Sequence, residues 1–354
     1  MSFKVLYFQR PLSWLLTFIS FTAWECKGTD PPDDPMHYRI MFYNTENFFD
    51  TRNDSLTDDD AFTPGGAMHW NYSRYHTKLN NLYKTLVSLG GWQPPDVVGL
   101  CEIENKSILT DLLNHTPLIK YPYRIIHANS ADRRGIDIAL LYNSQTVRML
   151  QSYYIRIQKP GLLTRDILYF RALMNGDTCH FFMNHWPSRS SGQLKTEADR
   201  FSAASRLRIA MDSLLKAHAK IIIMGDFNDE PTDESLTENL KATTDLREPR
   251  EGHLFNISRT PVSGNFRGTM KYQGQWNLFD QVIVSGSLLS NRHGLFVLPD
   301  GYHIFGPSFL LTADEKYNGF KPYRTYNGFR YQGGFSDHLP VYVDVYVKQG
   351  GGKK

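Results

Sequence analysis

Cysteine is almost missing from this chain: three residues in 354, at positions 26, 101 and 179. That is too few for a disulfide framework, and a chain of this length buries enough apolar surface to fold without one. Cys101 and Cys179 each sit in an apolar, strand-like run, where a free buried thiol is expected; a Cys101–Cys179 bridge has no separate argument behind it. Charge of one sign is equally scarce. Lys and Arg number 39 against 36 Asp and Glu, a formal net charge of +3. Strong electrostatic binders of nucleic acid show a clustered basic excess, so composition leaves the substrate open. There is no HExxH and no cluster of His and Cys, which removes the usual zinc readings. A Gly-rich dinucleotide turn and a Ser/His or Cys/His nucleophile signature are also missing. The acidic stretch from Asp50 to Asp60 has no Gly at the sharp-turn position of an EF-hand, and it reads as a solvated loop.

What is present begins with an ordinary globular composition. Hydrophobic residues make up 41% and charged residues 21%, values that fit a soluble folded protein. Aromatics are plentiful, with 20 Tyr and 22 Phe, which suits a sheet-rich interior. At the N-terminus, Lys4 and Arg10 precede an apolar run from Leu12 to Ala23 that is too short to span a bilayer comfortably. Asp-Pro-rich sequence, Asp30 to Pro35, follows at once. This order predicts a secretory signal peptide over residues 1–26 and a linker over 27–36, hence an exported protein in the periplasm, on the cell surface or outside the cell. The competing expectation is an amphipathic segment that stays attached. Cys26 is a candidate lipid acceptor, although Ala23-Trp24-Glu25 is a poor small-residue approach to it.

No repeat or long linker interrupts residues 37–348, which are read as one domain, with 349–354 as a disordered tail. Apolar or alternating runs predict strands at Tyr38–Tyr43, Asp96–Cys101, Tyr123–His127, Ile136–Tyr142, Ile167–Leu173, His180–Asn184, Ile221–Met224, Gln281–Val284 and Val341–Val347. Helical spacing marks Tyr75–Leu89, with Leu79, Leu82 and Leu86 on one face. It also marks Leu194–His218, with Phe201, Ala204, Leu207, Met211 and Leu214. Strands with helices interspersed predict an α/β or α+β layered fold with largely antiparallel sheets. The stretch from Gly301 to Gly334, rich in Gly, Tyr and Phe, is long and irregular and leads into a charged motif; such loops often shape substrate choice.

Five motifs place polar residues at the end of an apolar strand. They are Arg39-Ile-Met-Phe-Tyr-Asn44-Thr-Glu46-Asn47, Asp96-Val-Val-Gly-Leu-Cys-Glu102-Ile-Glu104-Asn105, and Cys179-His-Phe-Phe-Met-Asn184-His185. The others are Ile221-Ile-Ile-Met-Gly225-Asp226-Phe-Asn228 and Phe335-Ser336-Asp337-His338. Each alone has a bland explanation: a turn, or for Glu102 or Glu104 a cap on the helix from Ile108. Together they describe a hard-metal site. Mg²⁺ and Mn²⁺ prefer carboxylate and amide oxygen and keep positions open for water and phosphate. Phosphoester hydrolysis needs charge neutralised, a water deprotonated and a leaving alkoxide stabilised, which carboxylates, amides and imidazoles around a cation can supply.

From Tyr38 to Val347 these motifs, in this order, resemble the endonuclease/exonuclease/phosphatase superfamily, the group of deoxyribonuclease I, exonuclease III-type nucleases, sphingomyelinases and inositol polyphosphate 5-phosphatases. Gly225-Asp226-Phe-Asn228 and Ser336-Asp337-His338 are the most specific pieces. The wording Phe-Tyr-Asn-Thr-Glu-Asn and Asn-His-Trp-Pro-Ser-Arg is most similar to exported bacterial nuclease-like members. The resemblance implies a four-layer sandwich, two packed mixed, mostly antiparallel β-sheets flanked by α-helices. It implies a cation held by Glu102 as principal ligand, assisted by Asn44 and by Glu46 as a second acidic group, with Asp337 on the metal side. Asp226 would orient or deprotonate water, Asn228 would bind phosphate, and His338, held by Asp280, would contact the scissile phosphate. His185 matches a mid-chain phosphate-binding or acid position. Arg133 and Arg134, and likewise Arg189, are candidates either for phosphate contact or for a solvated basic turn; Arg324, Tyr326 and Tyr331 are candidate specificity-loop contacts. The leading expectation is a Mg²⁺- or Mn²⁺-dependent phosphodiesterase acting on nucleic acid. Phospholipid head groups or sugar phosphates are the alternative substrates, an inactive binding module is the third reading, and no obligate protein partner is evident.

Overall fold

Alternation in the apolar runs decides the architecture. Along Tyr38–Tyr43, Ile40 and Phe42 fall on one face of a strand and Met41 and Tyr43 on the other, and all four are buried. A strand apolar on both faces has to be covered on both. The computed structural model describes Ser2 and residues 36–348, apart from 92, 190–191 and 291–293. The expected leader with Cys26, nearly all of the linker and the C-terminal tail lie outside the described residues.

The first part of the chain runs β1 (His37–Phe48), α1 (Tyr72–Leu89), β2 (Val97–Ile103), α2 (Lys106–Asn114), β3 (Tyr123–His127) and β4 (Asp137–Asn143). It continues through β5 (Arg148–Ile155), β6 (Ile167–Met174), β7 (Asp177–His185), α3 (Gln193–Lys216) and β8 (Lys220–Asp226). Shorter pieces follow: β9 (Ala242–Thr243), β10 (Leu254–Asn256), β11 (Met270–Tyr272), β12 (Gln275–Asn277), β13 (Asp280–Ser285) and α4 (Gly286–Leu289). The chain ends with β14 (Gly294–Ile304), β15 (Leu311–Ala313), β16 (Phe320–Pro322), β17 (Tyr326–Asn327), β18 (Arg330–Tyr331) and β19 (Val341–Lys348).

Two large sheets result, one ordered β14-β19-β1-β2-β4-β3 and the other β5-β6-β7-β8-β13-β10-β9. Their facing sides share one core, in which Ile40, Phe42 and Leu140 of the first meet Phe170, Phe181, Met183 and Met224 of the second. The outer side of the first sheet packs Met41, Tyr43 and Leu100 under Leu79, Leu82 and Leu86 of α1. The outer side of the second packs Phe182, Ile221 and Ile223 under Ala203, Ala204, Leu207 and Met211 of α3. The four-layer sandwich is therefore present. Each fully buried Phe, Ile or Leu in it contributes roughly 1.5–3 kcal/mol of transfer free energy.

Both cysteines are free and buried, with no bridge between them. Other details differ from expectation. Strands β5 and β14 were not anticipated: β5 is an edge strand with mostly exposed side chains, so its alternation carries little apolar signal. The buried stripe of α3 runs through Arg200, Ala203, Ala204, Leu207, Met211 and Leu215, leaving Phe201 and Leu214 half-buried. Helix α2 is capped by Asn105, whose side chain accepts from the Ile108 N–H, and not by Glu102 or Glu104.

Most pairings are antiparallel, but β1–β2, β7–β8 and the short β9–β10 pair are parallel. Parallel neighbours need a crossover, and α1 and α3 supply it for the two long pairs. Each crossover unit sends two strands to the same edge, so the C-terminal ends of β1, β2, β7 and β8 collect there. Carboxyl ends of parallel strands are where layered folds place their ligand sites.

Candidate active site

Register brings the motifs together. His185 lies beside Asp226 across the parallel β7–β8 pair, and Asp280 lies opposite Asp226 across the antiparallel β8–β13 pair. Gly225 makes the first approach feasible, since a Cβ there would stand 2.4 Å from the Asn184 carbonyl oxygen. His338 arrives from the segment before β19, tied by a bridge to Met270. Its N–H donates to Ser336 Oγ at 3.1 Å, and Ser336 Oγ donates to the Asn44 carbonyl at 2.7 Å.

The Asp226 carboxylate is the centre. Its Oδ2 accepts from Asn44 Nδ2 at 3.0 Å and faces His185 Nε2 at 3.7 Å and His338 Nε2 at 3.8 Å. Its Oδ1 accepts from the Asn228 N–H at 3.0 Å. Asn44 Nδ2 also reaches Glu102 Oε1 at 3.4 Å, and the same oxygen lies 3.8 Å from His185 Nε2. Glu102 Oε2 accepts from the Asn47 N–H at 2.6 Å. Asn228 Nδ2 donates to the Trp186 carbonyl at 3.1 Å. Asn44, Glu102, His185, Asp226, Asn228, Asp280 and His338 thus form one cluster where strand ends of the two sheets meet.

The backbone there is strained. Glu46, Asn47, Glu102 and Asn228 all have left-handed φ, at 54°, 49°, 61° and 52°. That conformation costs a non-glycine residue about 1 kcal/mol or more, and it persists where surrounding contacts over-determine it. Here the side chains of Asn44, Glu102 and Asp226 accept from the N–H groups of Glu46, Asn47 and Asn228.

Electrostatics separate the two imidazoles. Burial works against charge on His338, but Asp280 and Asp226 outweigh it and hold its pKa well above the ordinary value. The contact responsible is Nδ1 to Asp280 Oδ2 at 2.6 Å. His185 goes the other way: burial, then the charges of Arg165, Arg134 and His338, push it well below the ordinary value. The two shifts run in opposite directions, favouring the cationic form of His338 and the neutral form of His185. Asp226 is raised to about 7, chiefly by burial, with His338 opposing and Asp280 adding to the rise. Groups whose protonation is pushed apart in one cleft are suited to separate tasks in proton transfer and anion binding.

A second cluster adjoins the first. Glu46, buried, accepts from Arg324 Nε at 3.2 Å, from the Thr325 N–H at 2.6 Å and from the Tyr326 N–H at 3.4 Å. Arg324 Nη2 continues to Asp337 Oδ2 at 3.1 Å. Glu46 therefore fastens the segment 324–326 to β1. The remaining arginines stand apart from Asp226. Arg134 is half exposed, 3.6 Å from Asp132, and acts on His185 through its charge. Arg133 is exposed and pairs with Asp58. Arg189 is tied to Asp229, to Asp233 and to the Asn228 carbonyl, a supporting position behind the site. Tyr326 donates to the Met68 carbonyl and packs on Tyr331.

Lys78, Arg165 and Arg200 are buried cations that escaped sequence reasoning. Lys78 donates to Thr325 Oγ1 at 2.6 Å and sits among Glu46, Asp337 and Glu102. Its signal was available, because it falls on the buried stripe of α1 with Tyr75 and Leu82. Arg165 joins Asp132 Oδ2 at 3.0 Å and the Trp186 carbonyl at 2.7 Å. Nothing in Thr164-Arg165-Asp166 distinguishes it in sequence.

The donor set fits a hard divalent cation. Glu102 offers carboxylate oxygen, the donor such an ion prefers, with the Asn44 side chain beside it at 3.4 Å. Ligand atoms of Asp226, Asp280 and His338 also come within 4.8 Å of one another. That trio is the weaker of the two placements: a charged imidazole has no lone pair to offer, and Asp280 already holds it.

A model of the endonuclease/exonuclease/phosphatase family matches residues 39–347. No match was found among curated proteins by sequence. Among solved structures, a humanized D. rerio TDP2 shares 15% identity with TM-score 0.54, over 88% of this chain and 99% of that one. An endonuclease/exonuclease/phosphatase family protein from Bacteroides thetaiotaomicron shares 14% with TM-score 0.53, over 89% and 99%. D. rerio TDP2 complexed with single strand DNA product shares 15% with TM-score 0.53, over 88% and 99%. These likenesses agree in fold with the two sheets and flanking helices described above. With the family match covering nearly the whole described chain, this protein belongs to the endonuclease/exonuclease/phosphatase family, as a hydrolase of phosphoester bonds.

Proposed function

We propose that the chain is a Mg²⁺- or Mn²⁺-dependent phosphodiesterase that cleaves nucleic acid outside the cytoplasm. One observation carries the catalytic part: Asp226 Oδ2 stands 3.7 Å and 3.8 Å from two imidazoles of opposite character, one shifted toward the neutral form and one toward the cationic. The His338 imidazolium, backed by Asp280, binds a non-bridging phosphate oxygen, together with the Asn228 amide. Asp226 orients the attacking water and accepts its proton as the new oxygen–phosphorus bond forms; a carboxylate raised toward neutrality suits that work. The P–O bond to the leaving group breaks on the far side. His185, neutral at the β7 end, donates a hydrogen bond from Nε2 into the same space. Glu102 and Asn44 would hold the cation, with Glu46 and Asp337 behind them. When bound, it supplies charge neutralisation for the phosphate and the departing alkoxide.

Polynucleotide is favoured as the substrate by the solved relative that carries a single strand DNA product. Export rests on the basic-then-apolar order of residues 4–26. A second reading, a phospholipid head group, is favoured by one feature: Phe329, at the turn between β17 and β18, is 75% exposed. The test is a panel assay of purified protein against DNA, RNA, phospholipid and phosphomonoester, with Mg²⁺ or Mn²⁺ and with chelator. Chelator-sensitive cleavage of DNA or RNA is the expected result. Cleavage of lipid alone would overturn the substrate, and cleavage of nothing would leave a binding module.

A further inference from the structure

Two hairpins stand beside the site and enclose a recess between them. One is β11–β12, with the tight turn Gln273-Gly274; the other is β15–β16 with the loop 314–319. The recess is about 280 Å³, and Arg324 and Asp337 form one wall of it. Through them it adjoins the candidate active site, because Arg324 also reaches Glu46 at 3.2 Å and Asp337 directly precedes His338. The hairpins are locked together. Lys271 Nζ, nearly buried, contacts Asp314 Oδ2 at 2.9 Å and the Asn318 carbonyl at 2.9 Å. Tyr317 lies flat against the turn at Gly274, where an added Cβ would meet the ring at 3.0 Å. The recess is therefore preformed.

Its lining joins charge to aromatic surface. Lys271, Lys316, Lys321 and Arg324 line it with two carboxylates, Asp314 and Asp337, and Arg324 is paired further with Glu46 behind it. Asp314 is already taken by Lys271, so Lys321, at 3.7 Å and a third exposed, is only partly compensated. Lys316 stands 4.9 Å over the Tyr317 ring. Tyr272 and Tyr317 are 63% and 40% exposed. Cations interleaved with exposed rings are what a single-stranded polynucleotide needs: phosphates take the charge, and bases stack without regard to sequence.

We propose that this recess is a subsite for a single-stranded polynucleotide next to the scissile phosphate, with Lys316 and Lys321 on a flanking phosphate and Tyr317 or Tyr272 under its base. The proposal deepens the nuclease reading and rests on it for the identity of the scissile bond. An apolar membrane anchor fits the recess less well, since its rings are tyrosines spaced by lysines.

The test is fluorescence anisotropy with a labelled 12-nucleotide single strand, using wild type, Lys316→Ala/Lys321→Ala and Tyr317→Leu. All three are also assayed on bis(p-nitrophenyl) phosphate with Mn²⁺. Affinity is expected to fall about tenfold in the double variant, and its salt slope to shrink by about 0.7, the value for one single-strand phosphate. Tyr317→Leu is expected to lose about tenfold, the scale of one stacked base. Turnover of the small diester should not change. Unaltered oligonucleotide affinity in both variants would overturn the proposal, as would a wild type that hydrolyses the small diester yet binds no strand. Loss of binding to phosphatidylserine vesicles instead of the strand would reassign the recess to a membrane. Binding that depends on the lysines in a protein that hydrolyses nothing would keep the subsite and sink the nuclease reading.

Discussion

Removing the Asp280 carboxylate asks more of His338 than of the fold. Asp280→Asn keeps shape and a hydrogen bond but withdraws the charge that holds the imidazole protonated. The His338 pKa is then expected to drop, and the alkaline limb of the pH–rate profile to move to lower pH. An unmoved limb, or an unmoved imidazole resonance in NMR titration, would count against the pairing as the source of the charge. Asp226→Ala and His338→Ala should each cut turnover by about 10³ or more with the circular dichroism spectrum intact. Normal turnover in either would remove that residue from the mechanism. At Glu102, substitution by Gln should raise the Mn²⁺ concentration giving half-maximal activity by tenfold or more, read by titration; the same midpoint would place the cation elsewhere.

At the level of elements, the site depends on how closely two crossover units can bring their strand ends. Gly225→Ala puts a Cβ 2.4 Å from the Asn184 carbonyl and 2.7 Å from its Cβ. Overpacking of that kind costs about 1–3 kcal/mol. Thermal unfolding should show a lower Tm, and an unchanged Tm would mean that β7 and β8 separate more easily than their register suggests. Glu46 offers a sharper choice. With three donors from residues 324–326, it acts as a clasp on the loop, so Glu46→Gln should speed amide exchange at Thr325 and Tyr326 while leaving the Mn²⁺ midpoint nearly constant. A large change in the midpoint with protected amides would make Glu46 a cation ligand instead.

Across the whole molecule, stability should fall on the acid side for a reason unconnected with catalysis. Burial, helped by Arg171, lowers the pKa of His180 from the ordinary 6.5 to about 4. The folded state therefore favours neutral His180, a stabilisation present above pH 6.5 and lost as pH falls toward 4. Allowing for partial solvent screening, the loss is roughly 1–2 kcal/mol. Denaturant unfolding should show it, and His180→Gln should flatten it; an equal slope in the variant would point to other groups.

Much of this molecule was legible in its sequence, for physical reasons. Long apolar strands such as Ile221–Met224 announce themselves because both faces must be buried. Residues that end them in carboxylate or amide, Asn44, Glu102 and Asp226, are conspicuous against that background. Edge strand β5 and bent β14 were not legible, since exposed faces relax the alternation. Nor was the clasp at Glu46, because its partners lie about 280 residues away and only the tertiary fold supplies them. Lys78 was legible from its place on the buried stripe of α1, but a lysine there is ordinarily read as a solvated neighbour.

Residues remote in sequence are held here to build one oxygen-lined pocket for a cation beside a phosphate cradle. An anomalous difference map from crystals grown with Mn²⁺ tests this most directly. A single strong peak against the Glu102 carboxylate, within reach of Asn44 and clear of His338, is the predicted result. A peak ligated by Asp226, Asp280 and His338, or none in this cluster, would contradict it.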